Sequence, residues 1–188
     1  MKYTSIAIIT LFSLSAAFAQ QKPDQAKEKP RTQLEAFAAE TGAVIIKGYS
    51  ESGIITGMGS IEVDCREFIN ASTGRKSYGI AIKVTESGRL ERDDSSFIDY
   101  DEIPSLLTGI DYIGKIQPSV TSLKNFEATY STKGDFAITV FNNPNGKLSA
   151  AVSSGRFGRA SAFIAIEKLA DLRTLIAAAK QKLDGLQK

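Results

Sequence analysis

The chain has 188 residues, with 23 Lys and Arg against 21 Asp and Glu, one Cys, no His and no Trp. Without an imidazole there is no Ser-His-Asp or Cys-His machinery, no His-ligated zinc or haem and no unshifted histidine switch; one thiol neither closes an intrachain disulfide nor supplies an iron–sulfur or structural zinc site. Stability must come from a hydrophobic core, and a formal charge of +2 gives no overall field to attract a polyanion.

The first residues have the three parts of an export signal. Met1-Lys2 supply a charged start, a 13-residue apolar stretch runs from Ile6 to Phe18 with only Thr10, Ser13 and Ser15 interrupting it, and Ala17-Phe18-Ala19 forms an A-x-A site. The stretch is shorter than the roughly 20 residues of a spanning helix, and no second apolar run follows. The expectation is cleavage after Ala19, giving a secreted or periplasmic chain with no transmembrane segment. Gln20, in place of Cys, offers no thiol for a lipid. Without Lys2 the charge is 22 − 21 = +1, unevenly spread: residues 86–111 carry 2 basic and 8 acidic side chains, residues 112–188 carry 11 and 5. Solvated faces that neutralise one another on packing account for this; the sharper alternative is a self-complementary surface or an anion-binding face.

Residues 20–33 hold two Pro, six charges and one Ala as their only apolar residue, which describes a disordered linker. From Thr32, the spacing of Leu34, Phe37 and Ala38 predicts a short helix with Gly42 as its C-terminal cap. Val44 opens a β run to about Ile55, and Gly57-Met58-Gly59 is a turn. Ile61, Val63 and Cys65 then share one strand face and Glu62, Asp64 and Arg66 the other, so Cys65 is expected to be a small buried hydrophobe. Asn70–Lys76 is a loop carrying an Asn70-Ala71-Ser72 glycosylation match, after which Tyr78, Ile80, Ile82 and Val84 face inward. A polar turn over 88–96 precedes a short strand, Phe97–Tyr100, and Asp101 is placed to cap a helix that tolerates Pro104 and repeats Ile103, Leu106, Leu107, Ile110 and Ile113. Phe126-Ala128-Tyr130, Phe136-Ile138-Val140 and Leu148-Ala150-Val152 alternate as strands around turns at 133–135 and 142–146. A last strand, Ala160–Ile166, then leads into a helix from Glu167 to about Leu186.

Residues 97–110, FIDYDEIPSLLTGI, align on residues 163–176, FIAIEKLADLRTLI, with five identities at an offset of 66, and Ala81-Ile82-x-Val84 matches Ala137-Ile138-x-Val140 at an offset of 56. The expected fold is therefore α+β: antiparallel sheets in a duplicated ββββα arrangement, with a short N-terminal helix and a long C-terminal helix. Residues 34–188 form one domain, with similar halves at 43–117 and 124–186. This doubled order resembles the topology of Whirly and PUR-type nucleic-acid-binding domains, without any of their sequence motifs; the resemblance is one of fold. A charge of +1 disfavours nucleic acid as the partner.

Two clusters stand out as candidate sites. Asp93, Asp94, Asp99, Asp101 and Glu102 concentrate hard oxygen ligands, but lack the spacing of a D-x-[DN]-x-[DN]-G loop; a solvated loop and helix cap are weighed against a calcium site or a carboxylate pair for glycoside hydrolysis. Arg156, Phe157 and Arg159, in a loop between strands, are weighed as a plain turn against a grip on phosphate, carboxylate or sugar. Phe68 and Phe141 point away from the predicted core, either to a sticky patch or to packing under loops. The C-terminal helix carries Leu169, Leu172, Ile176, Ala179, Leu183 and Leu186 as an a/d seam, assigned to the chain's own sheet ahead of a homodimer through that helix.

With no catalytic set in view and no cofactor implied, the favoured function is an exported, non-enzymatic binding or protein-interaction module of the cell envelope, its partner an unknown protein or small ligand. The alternative is a calcium-dependent carbohydrate-binding domain or a carboxylate-based hydrolase centred on residues 93–102.

Overall fold

The computed structural model describes residues 29–89, 91–156 and 159–187. The expected signal segment and most of the expected linker lie outside them, as does Phe157. In chain order the elements are α1 (Gln33–Ala38), β1 (Ile45–Gly57), β2 (Gly59–Asn70), β3 (Lys76–Glu86), β4 (Arg92–Asp99), α2 (Ile103–Ile113), β5 (Glu127–Ser131), β6 (Ala137–Asn142), β7 (Leu148–Ser154), β8 (Ala160–Ala165) and α3 (Lys168–Leu186). Two antiparallel meanders result, β1-β2-β3-β4 and β5-β6-β7-β8, each followed by a helix. The α+β class and the ββββα repeat expected from the pattern are what the chain adopts.

The aligned junctions coincide in detail. Ile98 and Ile164 are both buried in the last strand of their sheets, and Leu106 and Leu172 are both fully buried on the helices that follow. Thr108 and Thr174 each donate a hydroxyl hydrogen bond to the carbonyl four residues back, Pro104 at 3.0 Å and Ala170 at 2.9 Å. The second alignment needs correction. Ile98 pairs with Ile80 and then Cys65, while Ile164 pairs with Ala150 and then Val140, so the counterpart of β3 is β7. The match of residues 81–84 to 137–140 joins a third strand to a second one, and reflects shared alternation of apolar residues.

Three local expectations also shift. β4 begins at Arg92, not Phe97, because Asp93 pairs in register with Thr85 and its carboxylate meets Lys83 at 2.9 Å. Asp101 caps no helix: it lies in a 3-10 turn over Tyr100–Glu102 that runs into α2 without a side-chain cap. α1 ends at Ala38 with Ala39 as its C-cap, and Gly42 follows in a separate bend at φ 77°.

Among the described residues, one isolated backbone bridge joins the two sheets. The β1–β2 hairpin tip, Met58, exchanges two 2.9 Å backbone hydrogen bonds with Phe163 of β8. Gly59, at φ 103°, closes that hairpin where a Cβ would collide with the Thr85 carbonyl and sit 2.9 Å from the Ala162 Cβ. One core then runs through both inner faces and both long helices, with Ile61, Val63, Ile80, Ile82, Ile138, Val152 and Leu172 buried in it. The helices are crossed over: α3 lies on β1, β2 and β3 as well as β8, and α2 lies against β5 and α3. Each sheet thus receives apolar cover from the helix that follows the other sheet. The α3 seam from Leu169 to Leu183 is spent on this contact, and Cys65 beneath it donates to the Ala179 carbonyl at 3.5 Å. Among the described residues, no helix is long and apolar enough to cross a membrane.

Candidate functional site

The acidic segment is divided among separate structural tasks. Asp99 is 3% exposed, and its two oxygens accept the backbone N–H groups of Gln33 (2.7 Å) and Leu34 (3.1 Å). Together with Thr32 Oγ1, which accepts from the Glu35 N–H at 3.0 Å, this satisfies donors that the first turn of α1 leaves without helical partners. Asp93 is exposed and paired with Lys83. Glu102 accepts the Lys133 N–H at 2.9 Å, in the turn before β6. Asp101 lines an open groove of about 680 Å³ with Gln33, Lys76, Tyr78 and Tyr100. Among the described residues, no group of three or more Cys, Asp and Glu stands close enough to hold a metal ion.

Asp94 and Arg156 do come together, although they lie 62 positions apart. They border a cleft of about 420 Å³ with Lys29, Glu35, Asp135 and Gly155. Gly155 is backed so closely against the Asp94 carboxylate that a Cβ would collide with it. Asp135, at φ 64°, meets Arg156 Nε at 3.0 Å and also pairs with Arg31. This mixed-charge crossing fastens three loops. Arg159 is exposed beyond it.

A different surface emerges from the strand register. On the outer side of the second sheet, Thr129, Thr139, Ala151 and Phe163 form one cross-strand row, and Glu127, Phe141, Ser149 and Ala165 the next. The Met58–Phe163 bridge prolongs the first row, since opposed residues project to the same side. Phe163 is 43% exposed and Met58 67%, and Phe163 meets half-buried Phe141 edge to face at 6.4 Å and 86°. Thr129 and Thr139 share a 2.9 Å hydroxyl contact. Glu127 is the one charged side chain in these two rows. The outer side of the first sheet is built otherwise: α1 covers Phe68 and Phe97 there, and beyond α1 run Glu62, Asp64, Arg66 and Lys83. Phe68 is therefore fully covered, while Phe141 belongs to the open patch.

The glycosylation match does not present an open acceptor. Asn70 is buried, its Nδ2 donates to Glu40 at 2.8 Å, and its Oδ1 holds the Ser72 and Thr73 N–H groups. No family model matches the chain, and no curated protein matches it in sequence.

Proposed function

We propose that the protein is an exported, non-enzymatic interaction module of the cell envelope that meets a protein partner through the open face of its second sheet. Export is supported by the charged, apolar and A-x-A segments of residues 1–19. The contact surface is supported by one observation: the Met58–Phe163–Phe141 patch, set among Thr and Ser hydroxyls, has a single charged neighbour in its two strand rows, whereas Glu62, Asp64, Arg66 and Lys83 stand on the outer face of the first sheet. An apolar centre with few charges and a hydroxyl border is the composition of a protein interface core. The two rings stand edge to face and give no coplanar platform for a run of sugar rings. The alternative centred on residues 93–102 gains no such support, because its carboxylates serve α1, Lys83 and the turn before β6.

Photo-crosslinking from a benzoylphenylalanine at position 163 in the producing cells tests this. One discrete adduct, lost when Met58 and Phe141 are both changed to Ser, is expected; no adduct, or one indifferent to those changes, would overturn the proposal. Thermal unfolding with calcium chloride and neutral polysaccharides separates the alternative. Saturation at ~100 times the dissociation constant adds roughly 2.7 kcal/mol, or about 5–11 °C for a chain of this size. A rise of that size with calcium, abolished by Asp94→Asn, would transfer the function to the acidic segment.

A further inference from the structure

We infer that β1 is a self-complementary edge through which two copies of this chain pair antiparallel, making one eight-stranded sheet from two four-stranded ones. β1 is the outermost strand of its sheet, so alternate backbone N–H and C=O groups point away from β2. Its first half is open: Ile46, Lys47, Tyr49 and Glu51 are all exposed, Tyr49 to 74%. Lys47, Tyr49 and Glu51 share one face, since their β2 partners are Phe68, Arg66 and Asp64, spaced by two. A register slip between Glu51 and Gly53 then bends the strand and ends the regular edge.

Charge order on this face selects the register. In a two-fold antiparallel pair centred on Tyr49, each residue faces the one equally far on the other side of Tyr49. Lys47 of each copy then lies opposite Glu51 of the other, twice by symmetry, around a Tyr49–Tyr49 pair. Moving the centre by one residue destroys the match: centred on Gly48, Lys47 faces Tyr49, and centred on Ser50 it faces Gly53. Opposed residues have Cβ atoms about 4.5–5.5 Å apart, within reach of an ion pair between these side chains. Within its own chain Lys47 lies over the Phe68 ring, 5.5 Å from its centroid, and Glu51 makes no ion pair among the described residues. The Arg66 guanidinium, on the neighbouring strand β2, lies over the Tyr49 ring 5.3 Å from its centroid.

Sedimentation velocity of the purified protein from about 1 to 200 μM, with circular dichroism to confirm folding, tests the pairing. The wild type is expected to form dimers as concentration rises. Lys47→Glu places like charges opposite twice and should weaken the dimer at least ~10-fold, and adding Glu51→Lys should restore it. Register is read separately: oxidation of Tyr49→Cys should cross-link two copies, because position 49 opposes itself, whereas Lys47→Cys should not, with the two thiols about four residues apart along the ladder. Buried Cys65 does not compete. A monomer across the whole range, a dimer unchanged by Lys47→Glu, a loss not rescued by the charge swap, or preferential cross-linking at position 47 would each overturn the inference.

Discussion

At the scale of single residues, two carboxylates in ion-paired networks tie stability to pH. The Tyr100 hydroxyl, which donates to Asp184 at 2.5 Å, and then the Lys180 ammonium hold the Asp184 carboxyl below its ordinary range. Arg75, and after it Asn70, do the same for Glu40. A carboxyl whose value is lower in the folded chain binds its proton more readily in the unfolded one. Its contribution is therefore fully present above about pH 5 and is lost as pH falls through the folded value. Urea midpoints measured from pH 5 down to about pH 2 should fall for the wild type, and Asp184→Asn and Glu40→Gln should each flatten that limb. Both groups lie at the surface, so the flattening and the matching loss of stability at neutral pH should both be small and should shrink further as salt is added. An acid limb unchanged in both variants would mean that the carboxylates controlling acid unfolding lie elsewhere.

At the scale of elements, α1 shows how a side chain counted as a ligand becomes part of the frame. Six residues are too few to persist as a helix in water, so α1 depends on what holds it. Leu34 and Phe37 pack on Phe68 and Phe97, and Asp99 binds the first two helical N–H groups from the end of β4. Asp99→Ala would leave those donors without their acceptor and should cost roughly 2–4 kcal/mol, with faster hydrogen exchange at Gln33 and Leu34 than at β3 amides. Asp99→Asn keeps one acceptor oxygen and should cost less. Exchange unchanged in Asp99→Ala would show that the apolar contacts alone hold α1. The same element marks the limit of reading from sequence. Ile61, Val63, Cys65 and Ile80, Ile82, Val84 announce their strand faces because burial on one side alternates with period two. The first half of β4 does not, since Arg92–Ser96 are polar on both sides and their pairing is set by β3. Asp94, on β4, and Arg156, in the loop after β7, reach one cleft only through the packing of the two sheets, and the Thr, Ser and Phe rows of the second sheet become a surface only once strand register aligns them.

At the scale of the whole molecule, duplication and crossing of helices pull in different directions. Repetition in the sequence suggests two units at 43–117 and 124–186, each with four strands and a helix. Yet an apolar stripe on a helix does not specify which sheet it covers, and here α3 closes the first sheet while α2 closes β5. A fragment of residues 43–117 would keep β1–β4 and α2 but lose the helix that buries Cys65, Val63 and Ile80. The complementary fragment would keep α3, with its seam from Leu169 to Leu183 exposed to water. Fully burying one Leu or Ile side chain contributes roughly 1.5–3 kcal/mol, so the loss of several such contacts exceeds the 5–15 kcal/mol margin of a typical domain. Neither fragment should show dispersed amide resonances alone, an equimolar mixture should recover them, and the intact chain should unfold in one transition seen alike by far-ultraviolet dichroism and tyrosine fluorescence. A folded isolated half would mean that α2 can turn back onto the sheet it follows. Two separate transitions in the intact chain would mean that the shared core is not the cooperative unit. With one core serving both repeats, the bridge at Met58 and Phe163 and the crossed helices hold the two sheets in fixed relation. The outer face of the second sheet and the free edge of β1 are then presented by a single rigid frame, so a partner bound at one leaves the other available.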